Sequence, residues 1–136
     1  MPRVSTVFAC VSALLLASAC NSSTSPTDAA TPGPVVTDTF TGTLGQGSSV
    51  VFSFTVATAS SVTITLVSLT PQSTVTTGIA LGTPATTGCS VSGSQENVKV
   101  GTALPTTLNP GTYCLVFYDL GNLTGPNAFT LTVQHS

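Results

Sequence analysis

Apolar and polar residues alternate along three segments of this chain, and that alternation constrains the fold more than any other feature of the sequence. The apolar members are Val50, Phe52, Phe54 and Val56 in the first segment, Val62, Ile64 and Leu66 in the second, and Phe129, Leu131 and Val133 in the third. Side chains of a β-strand point alternately to opposite faces of a sheet, so each segment predicts a half-buried antiparallel strand. No segment shows a sustained helical period.

Turn-forming residues separate these strands at short intervals. Glycine, proline, serine and asparagine cluster at residues 45–47, 59–61, 70–71, 82–84, 93, 109–111 and 121–126. Turns at these positions predict roughly eight short strands. We therefore expect residues 38–136 to form an all-β domain, a small antiparallel β-sandwich or jelly roll with one core.

A further strand is predicted from Thr112 to Asp119. Its residues Tyr113, Leu115 and Phe117 should face one side, and Cys114, Val116 and Tyr118 the other. The first set is expected to lie in the core. Tyr118 is then either an exposed residue available to a ligand or a residue packed against a neighbouring strand.

The N-terminus has the three parts of an export signal in the right order. Arg3 supplies a positive charge, Val4 to Leu16 form an apolar run, and the small residues Ala17, Ser18 and Ala19 precede Cys20. The run is too short to span a bilayer permanently, since spanning helices need about 20 apolar residues. The pattern resembles the signal of bacterial lipoproteins, in which residues 1–19 would be removed and Cys20 acylated. The alternative is an ordinary secretory signal cut after Ala19, which leaves Cys20 as a free thiol.

A lipidated Cys20 would hold the protein at a membrane of the cell envelope. Residues 20–37 are rich in Ser, Thr, Pro and Ala, contain almost no large apolar side chains and are predicted to be a flexible tether. By similarity to lipoprotein sorting, Asn21 after the cysteine favours the outer membrane in a double-membrane host. The partners expected are the membrane, through the anchor, and an unknown envelope protein or polysaccharide.

Two cysteines remain once Cys10 has left with the signal and Cys20 has been acylated. Cys89 and Cys114 form an even pair in an exported protein, and this predicts a disulfide. A metal site is a poor alternative, because His135 is the only histidine available to complete a set of four ligands. We expect no metal and no cofactor.

Charged residues are scarce, which excludes one class of partner. Without Arg3, Lys99 is set against the acidic residues Asp28, Asp38, Glu96 and Asp119, a net charge of 1 − 4 = −3. One lysine cannot neutralise a phosphate backbone, so no nucleic acid partner is expected. Abundant Thr and Ser predict a surface solvated by hydroxyl groups.

Catalysis is not expected. A serine hydrolase needs a base, and His135 is predicted to be a residue of an unstructured tail. A pair of carboxyl groups for glycoside hydrolysis would have to come from Asp38, Glu96 and Asp119. Glu96 is predicted to lie in a solvated loop over residues 94–97.

The C-terminal half carries a family resemblance. The turn Asn109, Pro110, Gly111 and Thr112 opens a strand at Tyr113, and an aromatic-x-Leu-x-Val strand follows at residues 129–133. Together with Phe40, Gly42 and Leu44 near its start, the segment from Asp38 to Gln134 resembles bacterial pre-peptidase C-terminal domains. The resemblance implies a jelly-roll-like sandwich that serves as an accessory module beside secreted enzymes. The calcium site of related collagen-binding domains is not expected here, since Asp38 is the only acidic residue near the start of the domain.

Two functional hypotheses follow. The first is a non-catalytic, envelope-anchored lipoprotein that acts as a structural or protein-interaction module, for example by offering a sheet edge. The alternative is a carbohydrate- or matrix-binding accessory module that uses the loops of residues 92–99 and 118–127. The candidate ligand-binding residues of that alternative are Tyr118, Asp119 and Asn122.

Overall fold

Eight antiparallel strands make up the part of the chain that the structure, a computed structural model, describes, residues 33–136. They are β1 Val36–Leu44, β2 Ser49–Val56, β3 Ser60–Thr70, β4 Thr77–Ala85, β5 Gly88–Val98, β6 Ala103–Leu108, β7 Gly111–Asp119 and β8 Asn127–His135. The strand β1 begins at Val36, two residues before the expected start of the domain. The expected signal peptide, Cys20 and the tether up to residue 32 lie outside the described residues. Within residues 33–136 no helix is long and apolar enough to cross a membrane.

The strands form two four-stranded sheets that pack as a sandwich, which confirms the predicted fold class. Sheet 1 has the order β1-β8-β3-β6 and sheet 2 the order β2-β7-β4-β5. Successive strands lie in opposite sheets, except β4 and β5, which are neighbours in sheet 2. This interleaved order is that of a jelly roll, in which two Greek keys fold over each other.

The core lies between the sheets and follows the alternation of the sequence. Phe117 of β7 is fully buried, and its ring centroid lies 4.8 Å from that of Phe129 in β8. Leu115 is also fully buried, and the ring of Tyr113 stacks on Phe54 with centroids 5.9 Å apart. The predicted inward face of β7 is therefore confirmed.

Threonines line the outer face of sheet 1 in register. Thr39 of β1 lies opposite Thr132 of β8, which in turn lies opposite Thr65 of β3. Threonine suits such positions because its β-branched side chain favours the extended backbone while its hydroxyl meets water. The charge-poor chain thus presents hydroxyl groups where other sandwiches present lysine and glutamate.

Two of the predicted turns are wrong. Residues 82–84 lie inside β4 and Gly93 lies inside β5, and the reversal between these strands falls at residues 86–87. Glycine within a strand also serves where another backbone approaches closely. That is the case at Gly82, where an added Cβ would lie 2.0 Å from the carbonyl oxygen of Ser90 in β5.

Candidate functional site

A disulfide joins two strands that are not hydrogen-bonded neighbours. Cys89 lies in the edge strand β5 and Cys114 in β7, with β4 between them in the sheet. Their Cα atoms are 5.8 Å apart, within the usual range for a disulfide. The predicted Cys89–Cys114 pair is therefore confirmed, and it ties the edge of sheet 2 to a central strand.

The disulfide can span β4 because the residue of β4 that lies beneath it is a glycine, Gly82. Gly82 of β4 pairs with Cys114 on one side and with Val91 on the other. The ladder between β4 and β5 shifts register at Leu81/Gly82, a bulge that bends a strand locally. Because Gly82 has no side chain, the backbone of Ser90 passes over it and brings β5 toward β7.

The apolar interior is open to solvent between the edge strands of the two sheets. A cleft of about 360 Å³ lies between residues 93–95 of β5 and residues 104–106 of β6. Its lining combines core side chains with uncharged polar ones: Ile64, Ile79, Leu81, Gly93, Ser94, Gln95, Leu104, Pro105 and Thr106. Ligand pockets in proteins have volumes of roughly 300–1,000 Å³, so this cleft is large enough to receive part of a ligand. Sequence reasoning gave no signal for it.

Asp119 organises the loops at the end of the sandwich where β7 terminates. Its Oδ2 accepts a hydrogen bond from the backbone N–H of Gly47 at 2.8 Å. Its Oδ1 accepts from the backbone N–H groups of Asn122 at 3.0 Å and Leu123 at 3.2 Å. Both oxygens of this candidate ligand-binding residue therefore join the loop after β1 to the loop after β7.

These hydrogen bonds outweigh the effect of burial on the carboxyl group. Desolvation alone would raise the pKa of Asp119, but backbone donors favour the charged form and hold the pKa below the ordinary value of 3.8. The donors are Gly47, Leu123, Asn122 and Gly121.

We expect Asp119→Asn to destabilise the domain in a pH-dependent way. At pH 7 the loss should be about 1–2 kcal/mol, because hydrogen bonds to a charged acceptor are replaced by weaker ones to an amide. A lowered pKa contributes stability above the unfolded value of 3.8, and that contribution is lost as pH falls through the folded pKa. Urea unfolding of both proteins should therefore give a difference that shrinks below pH 4. An equal difference at pH 7 and pH 2 would contradict this assignment.

Asn122 also joins loops at this end of the sandwich. Its Nδ2 donates to the backbone oxygen of Thr76 at 3.0 Å and lies 2.9 Å from the hydroxyl of the same residue. The side chain thus connects the loop after β7 to the start of β4. Like that of Asp119, its polar group is already bonded within the domain.

Tyr118 lies on the outer face of sheet 2, as the alternation predicts. Its ring covers Gly78 of β4, the residue opposite it in the ladder, and an added Cβ at Gly78 would lie 2.2 Å from the ring. The side chain is half-buried. Packing against a neighbouring strand is therefore observed for Tyr118, and its availability to a ligand stays a prediction.

The expectation that His135 belongs to an unstructured tail is wrong. His135 is the last residue of β8, its side chain is 6% exposed, and its Nε2 lies 3.0 Å from Oδ2 of Asp38 in β1. A carboxylate can only accept, so in the neutral ring Nε2 carries the hydrogen. The other nitrogen, Nδ1, is buried without a partner, and the ring lies beside Phe54 with centroids 6.0 Å apart.

The remaining acidic side chain of the described residues, that of Glu96, lies in a strand. Glu96 is an exposed residue of β5, so the predicted solvated loop over residues 94–97 is also wrong. Among residues 33–136, no three His, Cys, Asp or Glu side chains come together as metal ligands would. The one pairing of imidazole and carboxylate, His135 with Asp38, joins the first and last strands of the domain.

No known protein-family model matches the chain, and no curated protein matches it either. The structure shows an all-β domain of two antiparallel sheets with the strand order of a jelly roll.

Proposed function

We propose that the chain is an exported, lipid-anchored lipoprotein of the cell envelope whose domain acts as a non-catalytic interaction module. The Cys89–Cys114 disulfide carries this proposal. Disulfides persist in oxidising compartments outside the cytoplasm, and a domain this small gains a large part of its stability from one. The predicted export signal of residues 1–19 and the disulfide are independent features that point to the same compartment.

An interaction role is favoured because three polar side chains considered for ligand binding or catalysis, those of Asp119, Asn122 and Asp38, are bonded within the domain. Asp119 and Asn122 hold loops together, and Asp38 is paired with His135. The features that remain available are backbone edges and an apolar cleft, which are the elements of protein recognition. For this reason we favour the interaction module over a carbohydrate site built on Tyr118, Asp119 and Asn122.

The jelly-roll strand order also supports a role of the accessory kind seen in pre-peptidase C-terminal domains. In this proposal the domain is a relative of that module, and the lipid on Cys20 would bring it to its place of action.

Metabolic labelling with alkyne-tagged palmitate in the native host tests the anchor. We expect label in the wild-type protein and none in Cys20→Ala, because only the cysteine after the cleavage site would be acylated. Cys10→Ala is the matched control, since Cys10 lies in the same segment but is expected to leave with the signal. Label retained in Cys20→Ala, or absent from the wild-type protein, would overturn the proposal.

A further inference from the structure

The free edge of β5 is unusually suited to accept another strand. In the described part of the chain β5 pairs with β4 alone, and its 11 residues contain no proline. All of them are exposed except Cys89 and Val98. Edge strands are normally protected by short length, charge, proline or β-bulges, because their unpaired N–H and C=O groups bind other strands. The ladder between β5 and β4 shifts register on either side of residues 93–95, so these residues are the regular part of the edge.

The facing edge strand, β6, lacks these properties. It has six residues, and Pro105 near its middle has no N–H to donate. The disulfide adds a further difference, because it fixes β5 to β7 and so limits the motion of that edge. An incoming strand therefore finds a rigid partner in β5.

The cleft lies directly beside this edge and would receive side chains from the incoming strand. Gly93 of β5 pairs with Leu81, and an added Cβ at Gly93 would meet nothing within 4 Å. The missing side chain leaves Leu81 and Leu104 accessible from the edge. Since the lining contains no charged residue, an uncharged apolar side chain is its complement.

Charge indicates what should occupy the other face of the incoming strand. Glu96 is the one charged residue of β5, it is exposed, and it follows Gln95 of the cleft. The regular pairing of β5 with β4 ends at Gln95, so Glu96 lies just beyond it. If two apolar residues of the incoming strand lie opposite Gly93 and Gln95, a basic residue between them lies opposite Ser94. A long basic side chain there can reach diagonally toward Glu96.

We propose that the partner of this domain is an extended peptide segment that pairs with β5, inserts alternate apolar side chains into the cleft and carries a basic residue beside Glu96. This inference rests on the proposed interaction role and names the class of its partner. Main-chain hydrogen bonds would supply affinity, and the cleft would supply selectivity.

Hydrogen exchange read by mass spectrometry tests the inference with the peptide acetyl-Thr-Leu-Lys-Leu-Thr-amide as probe. The protein is the processed chain from its native host, in nanodiscs where it is acylated and in buffer where it is not. We expect the peptide to slow exchange in β5. Gly93→Leu should weaken binding more than about ten-fold, because its side chain fills the space that a peptide side chain would occupy.

Gly125→Leu is the matched control, since a Cβ at Gly125 also meets nothing within 4 Å and the residue lies in the loop before β8. It should leave affinity within about two-fold. Replacing the lysine of the probe with glutamate should weaken binding up to about five-fold, and Glu96→Lys should reverse that preference.

Absence of protection at millimolar peptide, protection elsewhere than β5, or equal binding by Gly93→Leu and Gly125→Leu would each overturn the proposal. Binding of 1-hexanol without binding of the peptide would assign the cleft to a small aliphatic ligand and likewise overturn it. Because the titration needs no anchor, a negative result beside positive palmitate labelling contradicts the peptide partner alone.

Discussion

Gly82→Ala is expected to destabilise the domain by about 3 kcal/mol. The added methyl group would lie 2.0 Å from the carbonyl oxygen of Ser90 and 2.6 Å from its carbonyl carbon. Both are backbone atoms of β5, so no change of side-chain rotamer can relieve the contact. The strand itself must move, and movement costs ladder hydrogen bonds and packing, at the upper end of what overpacking usually costs. Urea unfolding measures the change through the transition midpoint.

Gly93→Ala is the control for this prediction. It makes the same chemical change in the partner strand, at a position where the new Cβ meets nothing within 4 Å. We expect a change within about 0.5 kcal/mol, because alanine at an open position adds little strain. Equal midpoints for Gly82→Ala and Gly93→Ala would show that β5 does not lie over β4 as described.

Removal of the disulfide should cost a similar amount. In the double variant Cys89→Ala, Cys114→Ala we expect a loss of about 3 kcal/mol, because the bridge closes a loop across a sequence separation of 25 and restricts the unfolded chain. Reduction of the wild-type protein with dithiothreitol should give a comparable loss. Unfolding at the same urea concentration with and without reductant would contradict the prediction.

The free-energy costs of Gly82→Ala and of removing the disulfide should also depend on each other. Gly82 is small where the bridge draws β5 across β4, so without the bridge β5 can move away from a new methyl group. Gly82→Ala should therefore cost less in the double variant than in the wild-type protein, as a double-mutant cycle would show.

The fold was predictable because alternation is a local signal. The strands around Phe54, Ile64 and Leu131 show it plainly, and the count of about eight strands follows from the turns between them. The same signal extends to His135, which shares the parity of Phe129, Leu131 and Val133. Continuing the alternation by one step would have placed its side chain inside the sandwich. The position of His135 near the end of the chain indicates its burial less well than this alternation does.

Gly82 and Gly93 lie in strands and not in the predicted turns for a different reason. A glycine can mark a turn, or a place where another backbone or a ring comes close, and only the pairing of strands distinguishes these cases. Gly82 lies beneath Ser90 and Gly78 beneath Tyr118. Both contacts depend on which strands become neighbours, and the sequence does not contain that information locally.

The candidate site could be predicted only in part. The Cys89–Cys114 bridge followed from counting cysteines, and the outward direction of Tyr118 followed from alternation. The roles of Asp119 and Asn122 in holding loops depend on contacts with Gly47 and Thr76, which are distant in sequence. The cleft beside β5 arises from the meeting of two sheet edges, for which no single segment gives a signal.

Mass spectrometry of the N-terminal peptide from the processed protein tests the anchoring of this module most directly. We predict that the peptide begins at Cys20, that its mass exceeds the sequence value by that of covalently attached acyl chains, and that the protein sediments with membranes. A peptide that begins at Cys20 with a free sulfhydryl, from protein recovered in the culture medium, would contradict the account.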